Sequence, residues 1–140
     1  MPKHRFVYLL SRARHALMRR LDEEALAACG ITSVQLGALF ALEKNDGCQL
    51  SELATTLGLD GSAVTGLARR LEQAGVVTRQ RCESDRRSWR LYLSARGREV
   101  LQLGHQSMRE VNERITEGLS EAELDIAAGF LKNIIRTFQT

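Results

Sequence analysis

Apolar residues recur at helical spacing along the N-terminal part of the chain. The repeat of three or four residues is the spacing of one face of an α-helix, and it predicts a long first helix over residues 4–28. Gly30 is a typical residue to end it. The apolar face consists of Phe6, Leu10, Ala13, Leu17 and Leu21.

Two further patterns predict a helix-turn-helix in the middle of the chain. Thr32 and Gln35 form a capping-box pattern that opens a second helix. A short third helix then ends at Gly58, and Asp60 or Ser62 can cap a fourth. The predicted apolar face of this fourth helix is Val64, Leu67, Ala68 and Leu71.

A β-hairpin follows the fourth helix. Residues 76–81 are β-branched and basic, and residues 83–88 form a polar turn. On the return strand Trp89, Leu91 and Leu93 alternate with Arg90 and Tyr92, which places the first three inward, so Trp89 is expected in the core rather than as a stacking surface. The hairpin is the expected wing of a winged helix-turn-helix.

Two helices are predicted after the wing. Ser94 can cap the first, and a Ser120-to-Glu123 capping box opens the second. The fold class is therefore mainly α with a small β-wing, in the order α-α-α-α-β-β-α-α. A compact winged helix-turn-helix needs only residues 32–97 for its core, so the helices at 4–28 and 95–140 keep uncovered apolar stripes and are expected to dimerise. A closed three-helix bundle within one chain is the alternative.

Composition narrows the function classes. The 140 residues are 44% hydrophobic and 26% charged, as expected for one globular domain. The longest apolar run, Phe6–Leu10, is too short for a membrane span or a signal peptide, and three cysteines make no paired framework, so a reducing cytoplasm is expected. Catalytic motifs, phosphate-binding glycine loops and clustered metal ligands are missing, which predicts a protein that is no enzyme and needs no cofactor.

Basic charge is concentrated in one segment. Residues 61–98 contain nine arginines against three acidic residues, a net charge of +6, whereas the whole chain has +3. Arginine suits forked contacts with phosphates and guanine edges. The segment therefore predicts a surface that binds a polyanion, with a merely solvated charged face as the alternative.

These residues together resemble the multiple-antibiotic-resistance regulator (MarR) family of bacterial winged-helix repressors, over nearly the whole of residues 1–140. The wing carries the most specific match, and the helix-turn-helix adds to it. The matching segments are Leu53-Ala54, Ala63-Val64-Thr65, Leu71 to Gly75, Val77, Arg79, Asp85-Arg86-Arg87, Leu91, Leu93-Ser94 and Gly97. The resemblance implies a homodimer whose first, fifth and sixth helices intertwine.

The resemblance also implies which residues meet double-stranded DNA. The fourth helix would enter the major groove, with base reading by Thr65 and Arg69, although Arg69 or Arg70 could instead pair with Glu72 or Glu52. Arg87 would enter the minor groove, oriented by Asp85. The full expected set is Gly61, Ser62, Ala63, Thr65, Gly66, Arg69 and Arg70 on the helix and Asp85, Arg86, Arg87 and Arg90 on the wing, where Arg86 and Arg90 are candidate phosphate contacts.

Regulation is left more open by the sequence. The resemblance implies a small aromatic or anionic effector, for which Arg12, Arg14, His15 and Arg19 are possible partners. Two alternatives to a ligand-released repressor remain: a redox regulator that uses Cys29 or Cys82, and a winged-helix adaptor that binds protein instead of DNA. Cys48 is expected to be a small apolar residue.

Overall fold

Six helices and two strands occupy residues 3–85 and 87–139, which the computed structural model describes. They follow the predicted order, so the predicted fold class is confirmed. The elements are α1 (Phe6–Cys29), α2 (Ser33–Lys44), α3 (Leu50–Leu57), α4 (Gly61–Gln73), β1 (Val77–Arg81), β2 (Trp89–Leu93), α5 (Ala95–Thr116) and α6 (Glu121–Phe138).

The helices begin and end where their terminal residues satisfy free backbone groups. Thr32 and Ser120 open α2 and α6 with the two predicted capping boxes. Asp60 caps α4 by accepting hydrogen bonds from the Ala63 amide at 2.8 Å and the Ser62 hydroxyl at 2.9 Å. Gly30 ends α1 with a φ of 73°, which a residue with a Cβ atom rarely adopts.

The two strands form an antiparallel hairpin in which Val77 lies opposite Leu93 and Arg81 lies opposite Trp89. The segment before α3 runs along the outer side of β2. There the Gly47 amide donates to the Leu91 carbonyl at 2.8 Å, and the Leu91 amide donates to the Cys48 carbonyl at 3.1 Å. The segment thus pairs with β2 through backbone hydrogen bonds, which join the helix-turn-helix to the wing.

The hydrophobic core joins α2, α3 and α4 to the inner face of the hairpin. Leu39, Leu42, Leu71 and Leu91 are fully buried in it. The core also includes Ala25 and Cys29 from the end of α1 and Val100 and Leu101 from the start of α5. The lobe predicted over residues 32–97 therefore shares its core with residues on both sides of that range.

The chain separates into two compact units, Met1–Met108 and Arg109–Thr140. The first contains the helix-turn-helix and the wing. The second contains the end of α5 and the whole of α6, and no described residue of α6 is buried. α5 thus continues beyond the core that surrounds its first turns, and one unit over residues 1–140 stays a prediction.

Candidate nucleic-acid interface

Helix α4 buries one face and exposes the other. Val64, Leu67 and Leu71 lie in the core, whereas Ser62 and Thr65 are exposed. Of the residues expected on the DNA-facing side, Gly61, Ser62, Thr65, Arg69 and Arg70 are exposed, and Ala63 and Gly66 are half-buried. The structure thus leaves the expected side of this helix open to a partner.

The exposed face of α4 presents distinct chemistry along its length. The Thr65 hydroxyl donates to the Gly61 carbonyl at 2.8 Å, which leaves its oxygen lone pairs and its methyl group facing outward. Gly66 lies beside the Arg70 guanidinium, since a Cβ atom on this glycine would be 3.4 Å from Arg70 Nη1. Arg70 therefore folds back along its own helix, and Arg69 is exposed.

The N-terminus of α4 is held by Asp60. The hydrogen bonds from Ala63 and Ser62 stabilise the Asp60 carboxylate and lower its pKa. A charged cap of this kind satisfies the free amides of the first turn, and it lies at the end of the helix that attracts anions. The first turn of α4 is therefore stabilised by contacts within the chain.

Asp85 organises the wing turn. Its carboxylate accepts hydrogen bonds from the Arg87 amide at 3.0 Å and the Ser88 hydroxyl at 3.3 Å. Arg87 Nε lies 3.6 Å from the same carboxylate, while the Arg87 side chain is 95% exposed. The expected pairing of the two residues is present, and Arg86 lies outside the described residues.

Arg90 is engaged by the lobe itself. Its Nη1 donates to the Gly47 carbonyl at 2.8 Å, and this bond joins the wing to the segment before α3. Interaction with Cys82 raises the pKa of Arg90. Sequence spacing could not reveal this bond, because its partners are 43 residues apart. A phosphate contact by Arg90 stays a prediction.

The expectation that Trp89 joins the core is wrong. The residue is half-buried and absent from the core cluster. The guanidinium carbons of Arg79 and Arg81 lie 4.4 Å and 4.8 Å from its ring centroid. The reason is that Leu91 and Leu93 complete the inner face of β2, and Trp89 lies at the opposite end of that strand.

The alternative in which an arginine of α4 pairs with a nearby glutamate is not what the structure shows. Among the described residues, Arg69 and Arg70 make no ion pair with Glu72 or Glu52. Glu72 Oε2 instead lies 3.1 Å from Arg79 Nε on β1.

Cys82 lies in an unusual environment that the sequence did not indicate. Hydrogen bonds from the Ser84 side chain and from the Ser84 and Asp85 amides lower the pKa of Cys82 to about 7, and Arg90 adds to the effect. The thiol lines a polar cleft of about 450 Å³ beside the wing. Burial, in contrast, raises the pKa of Cys29 and of Cys48. Of the two cysteines named as candidate sensors, only Cys82 has a lowered pKa, and Cys82 is 2% exposed.

The described residues also bear on metal binding and on membrane insertion. They hold no group of three or more histidine, cysteine or carboxylate side chains placed to share a metal ion. Over the same residues no single helix is long and apolar enough to cross a membrane, and α1 with α2 reaches that length and composition only as a pair bent by 75°.

A helix-turn-helix followed directly by an antiparallel wing, with arginines on its exposed face, defines a winged helix-turn-helix protein. The MarR family model matches residues 31–89. A transcriptional repressor of the helix-turn-helix type from Mycobacterium bovis is 31% identical over 113 residues, which cover 81% of this chain and 81% of the relative. The chain belongs to the MarR family, whose members are transcriptional regulators and not enzymes.

Solved structures agree in fold. A MarR-family regulator from Rhodococcus sp. RHA1 is 26% identical, with a TM-score of 0.79 over 96% of this chain and 94% of that one. MepR of Staphylococcus aureus, solved as a DNA complex, is 23% identical, with a TM-score of 0.86 over 98% of this chain and 100% of that one. The predicted resemblance to the family is therefore confirmed.

Proposed function

We propose that this protein is a homodimeric repressor that binds a pseudo-palindromic DNA operator and leaves it when a small ligand binds. In this proposal α4 enters the major groove, where Thr65 and Arg69 read base edges, and Arg87 enters the adjacent minor groove. The observation that carries the proposal is the exposure of these side chains on a segment with a net charge of +6.

The chemistry of the α4 face supports base reading by two residues. Thr65 donates its hydroxyl proton within the helix, so it offers lone pairs and a methyl group. It would therefore favour adenine or cytosine amino groups, or a thymine methyl group. Arg69 offers the forked donor pair that matches guanine. The small residues Gly61, Ser62 and Ala63 would let the backbone of the first turn approach a phosphate closely.

The family and the names of relatives support the regulatory role. Relatives from Bacillus subtilis and Mycobacterium bovis are described as transcriptional repressors. A protein of the same fold was solved bound to DNA. A regulator of transcription acts where the chromosome lies, which in a bacterium is the cytoplasm.

Uncovered apolar residues support the homodimer. In α1, Val7 is 86% exposed, and in α6, Ile126, Ile135 and Phe138 are exposed by 74%, 60% and 77%. Exposed apolar patches of this kind mark association surfaces, and two-fold dimers are the most frequent oligomers. A second copy of this chain is therefore the proposed cover for both helices. In this proposal residues 4–28 and 95–140 form the dimer interface.

The central test is DNA binding measured by fluorescence anisotropy across a salt series, with the promoter region beside the gene as the duplex. Unmodified protein should bind with affinity that falls steeply as salt rises. The Arg87→Ala variant should bind more weakly by about 1–3 kcal/mol. Arg96→Gln is a matched control, because Arg96 is also an exposed arginine paired with an acid, Glu99 at 3.3 Å.

Weak DNA binding whose affinity depends neither on salt nor on Arg87 would refute the proposal and favour a protein-binding adaptor. Where binding is tight, release of the duplex by benzoate and related aromatic carboxylates tests the proposed effector class. Mutation of Arg12 and His15, which α1 carries among its exposed residues, then tests whether that helix supplies the anion contacts.

The thiol of Cys82 favours a second candidate function, a peroxide-sensitive regulator. A thiolate is the nucleophile in this chemistry, and a pKa of about 7 leaves much of Cys82 ionised near neutral pH. The thiolate sulfur would attack one oxygen of hydrogen peroxide and the O–O bond would break, which gives a sulfenic acid and a hydroxide ion; the hydroxide then takes a proton from solvent and becomes water. Loss of DNA binding after peroxide should disappear in Cys82→Ser and persist in Cys48→Ser. An unchanged peroxide response in Cys82→Ser would exclude this function.

A further inference from the structure

The two arginines of β1 and the single tryptophan of the chain form one cluster on the hairpin. Arg79 lies opposite Leu91 and Arg81 lies opposite Trp89 in the antiparallel register, so all of them share one face. The guanidinium carbons lie 4.4 Å and 4.8 Å from the centroid of the Trp89 ring. We refer to Arg79, Arg81 and Trp89 as the arginine–tryptophan cluster.

The cluster lies between the two elements proposed to enter DNA grooves. Arg79 is joined to α4 through its 3.1 Å ion pair with Glu72. Glu72 continues the exposed row of α4 that contains Thr65 and Arg69, at helical intervals of four and three residues. Arg81 is the last residue of β1 and leads into the turn that carries Arg87. The cluster therefore occupies the surface between the recognition helix and the wing tip.

DNA geometry requires a phosphate strand on that surface. A major groove and the neighbouring minor groove are separated by a single sugar–phosphate strand. If α4 occupies the first groove and Arg87 the second, this strand must cross the protein surface between them. We infer that Arg79 and Arg81 bind the phosphates of this strand and that Trp89 positions both guanidinium groups for the contact, an inference that rests on the proposed function.

The chemistry of the cluster suits this role. An arginine stacked on an aromatic face keeps the hydrogen-bond donors on the rim of its guanidinium plane available for an anion. Stacking also restricts a long side chain, so less freedom remains to be lost when a phosphate binds. The Arg79 side chain is 36% exposed and can be reached from solvent.

Glu72 would act as a competitor that the phosphate displaces. Its carboxylate currently holds Arg79, and two anions cannot share that guanidinium edge without repulsion. DNA binding would transfer Arg79 from Glu72 to a phosphate. Removing the charge of Glu72 should therefore strengthen binding, which is an unusual expectation for a change on a recognition helix.

The test does not need the operator, since phosphate contacts are independent of sequence. The probe is a fluorescein-labelled duplex of mixed sequence, about 30 base pairs or three helical turns long. Affinity is measured by anisotropy from low to high salt for the unmodified protein, Arg79→Gln, Arg81→Gln, Glu72→Gln and the control Arg96→Gln. Circular dichroism confirms that each variant is folded.

Loss of one phosphate contact should reduce the slope of log affinity against log salt by about 0.9, which is about eightfold in affinity at 100 mM salt relative to 1 M. We expect that change for Arg79→Gln and for Arg81→Gln, tighter binding for Glu72→Gln and no change for Arg96→Gln. Trp89 is the only tryptophan, so its emission should also change when duplex saturates the unmodified protein.

The outcomes separate this inference from the proposed function. Tight binding by the unmodified protein, with slopes of Arg79→Gln and Arg81→Gln equal to its own, would overturn the phosphate role of the cluster and leave the repressor proposal standing. Trp89 emission that does not change at saturating duplex would also overturn the role of the cluster and leave the repressor proposal standing. Failure of the unmodified protein to bind any duplex in a salt-dependent way would overturn both.

Discussion

Gly97 lies in the first turn of α5, where that helix touches the residue before β1. A Cβ atom at this position would be 2.1 Å from the Val76 carbonyl oxygen and 3.1 Å from its carbonyl carbon. Since carbon and oxygen atoms in contact are normally separated by about 3.3 Å or more, Gly97→Ala would force the backbones apart by roughly 1 Å. The same Val76 oxygen accepts a hydrogen bond from the Ser94 amide at 3.1 Å, which that movement would weaken.

The magnitude follows from three contributions. Forcing an extra carbon into a packed contact costs about 1–3 kcal/mol. A weakened hydrogen bond costs up to about 1 kcal/mol more, while the helix preference of alanine over glycine returns about 0.5–1 kcal/mol. Gly97→Ala should therefore lower the free energy of unfolding by about 1–3 kcal/mol. Gly37→Ala is the matched control: no atom lies within 4 Å of its Cβ position in α2, so it should raise that free energy by about 0.5–1 kcal/mol.

Urea unfolding followed by circular dichroism measures both changes. Protein concentration is kept constant, because the stability of a dimer depends on it. We expect a lower unfolding midpoint for Gly97→Ala and a higher one for Gly37→Ala, with similar slopes. If Gly97→Ala were as stable as the unmodified protein, or if both variants shifted in one direction, the close approach of α5 to Val76 would be refuted.

Three further predictions concern α1, α6 and the thiols. Hydrogen bonds from the Ser33 hydroxyl and amide lower the pKa of Asp22. The ionised Asp22 carboxylate therefore stabilises the folded protein above its usual pKa of 3.8, and this stabilisation is lost as pH falls through the lowered pKa of the folded state. The melting temperature of Asp22→Asn should thus be lower than that of the unmodified protein at pH 7 and converge with it in acid; a constant difference at every pH would contradict this. Ile135→Glu should convert the proposed dimer to monomer in sedimentation velocity and leave the far-ultraviolet spectrum unchanged, because Ile135 is outside the core of its own chain; a persistent dimer would exclude α6 from the interface. The rate of Cys82 alkylation should be half-maximal near pH 7 in the folded protein, and a midpoint near the ordinary cysteine value of 9.0 would show that Ser84 does not stabilise the thiolate.

Local patterns predicted most of the fold. The capping boxes at Thr32 and Ser120 determine helix starts through contacts only three residues apart, so each is visible in a short window. The buried face of α4 follows from a repeat within one helix. Its exposed face then follows by geometry, and this is why five of the seven residues expected to face a groove are exposed, whereas Ala63 and Gly66 are half-buried.

Contacts between distant segments could not be predicted in the same way. The bond from Arg90 to Gly47 and the bond from the Leu93 amide to Asp46 each cross more than 40 residues and depend on how the wing lies against the loop before α3. Trp89 follows the alternation of its strand, but alternation does not tell where the core ends. The low pKa of Cys82 arises from a turn geometry around Ser84 that no residue pattern announces.

The charge distribution bears on how a ligand could release DNA in the proposed dimer. Each lobe carries the +6 of residues 61–98, and half-sites one helical turn apart would separate two lobes by roughly 34 Å. Dissolved salt screens the interaction between charges that are more than about 8 Å apart at physiological ionic strength, so electrostatic repulsion cannot hold the lobes at that spacing. α5 runs from the unit with the lobe into the second unit, and its 22 residues span about 33 Å. In the proposed dimer we therefore expect the packing of α1, α5 and α6 to set the distance between the lobes, and a ligand that releases the operator to act on that packing.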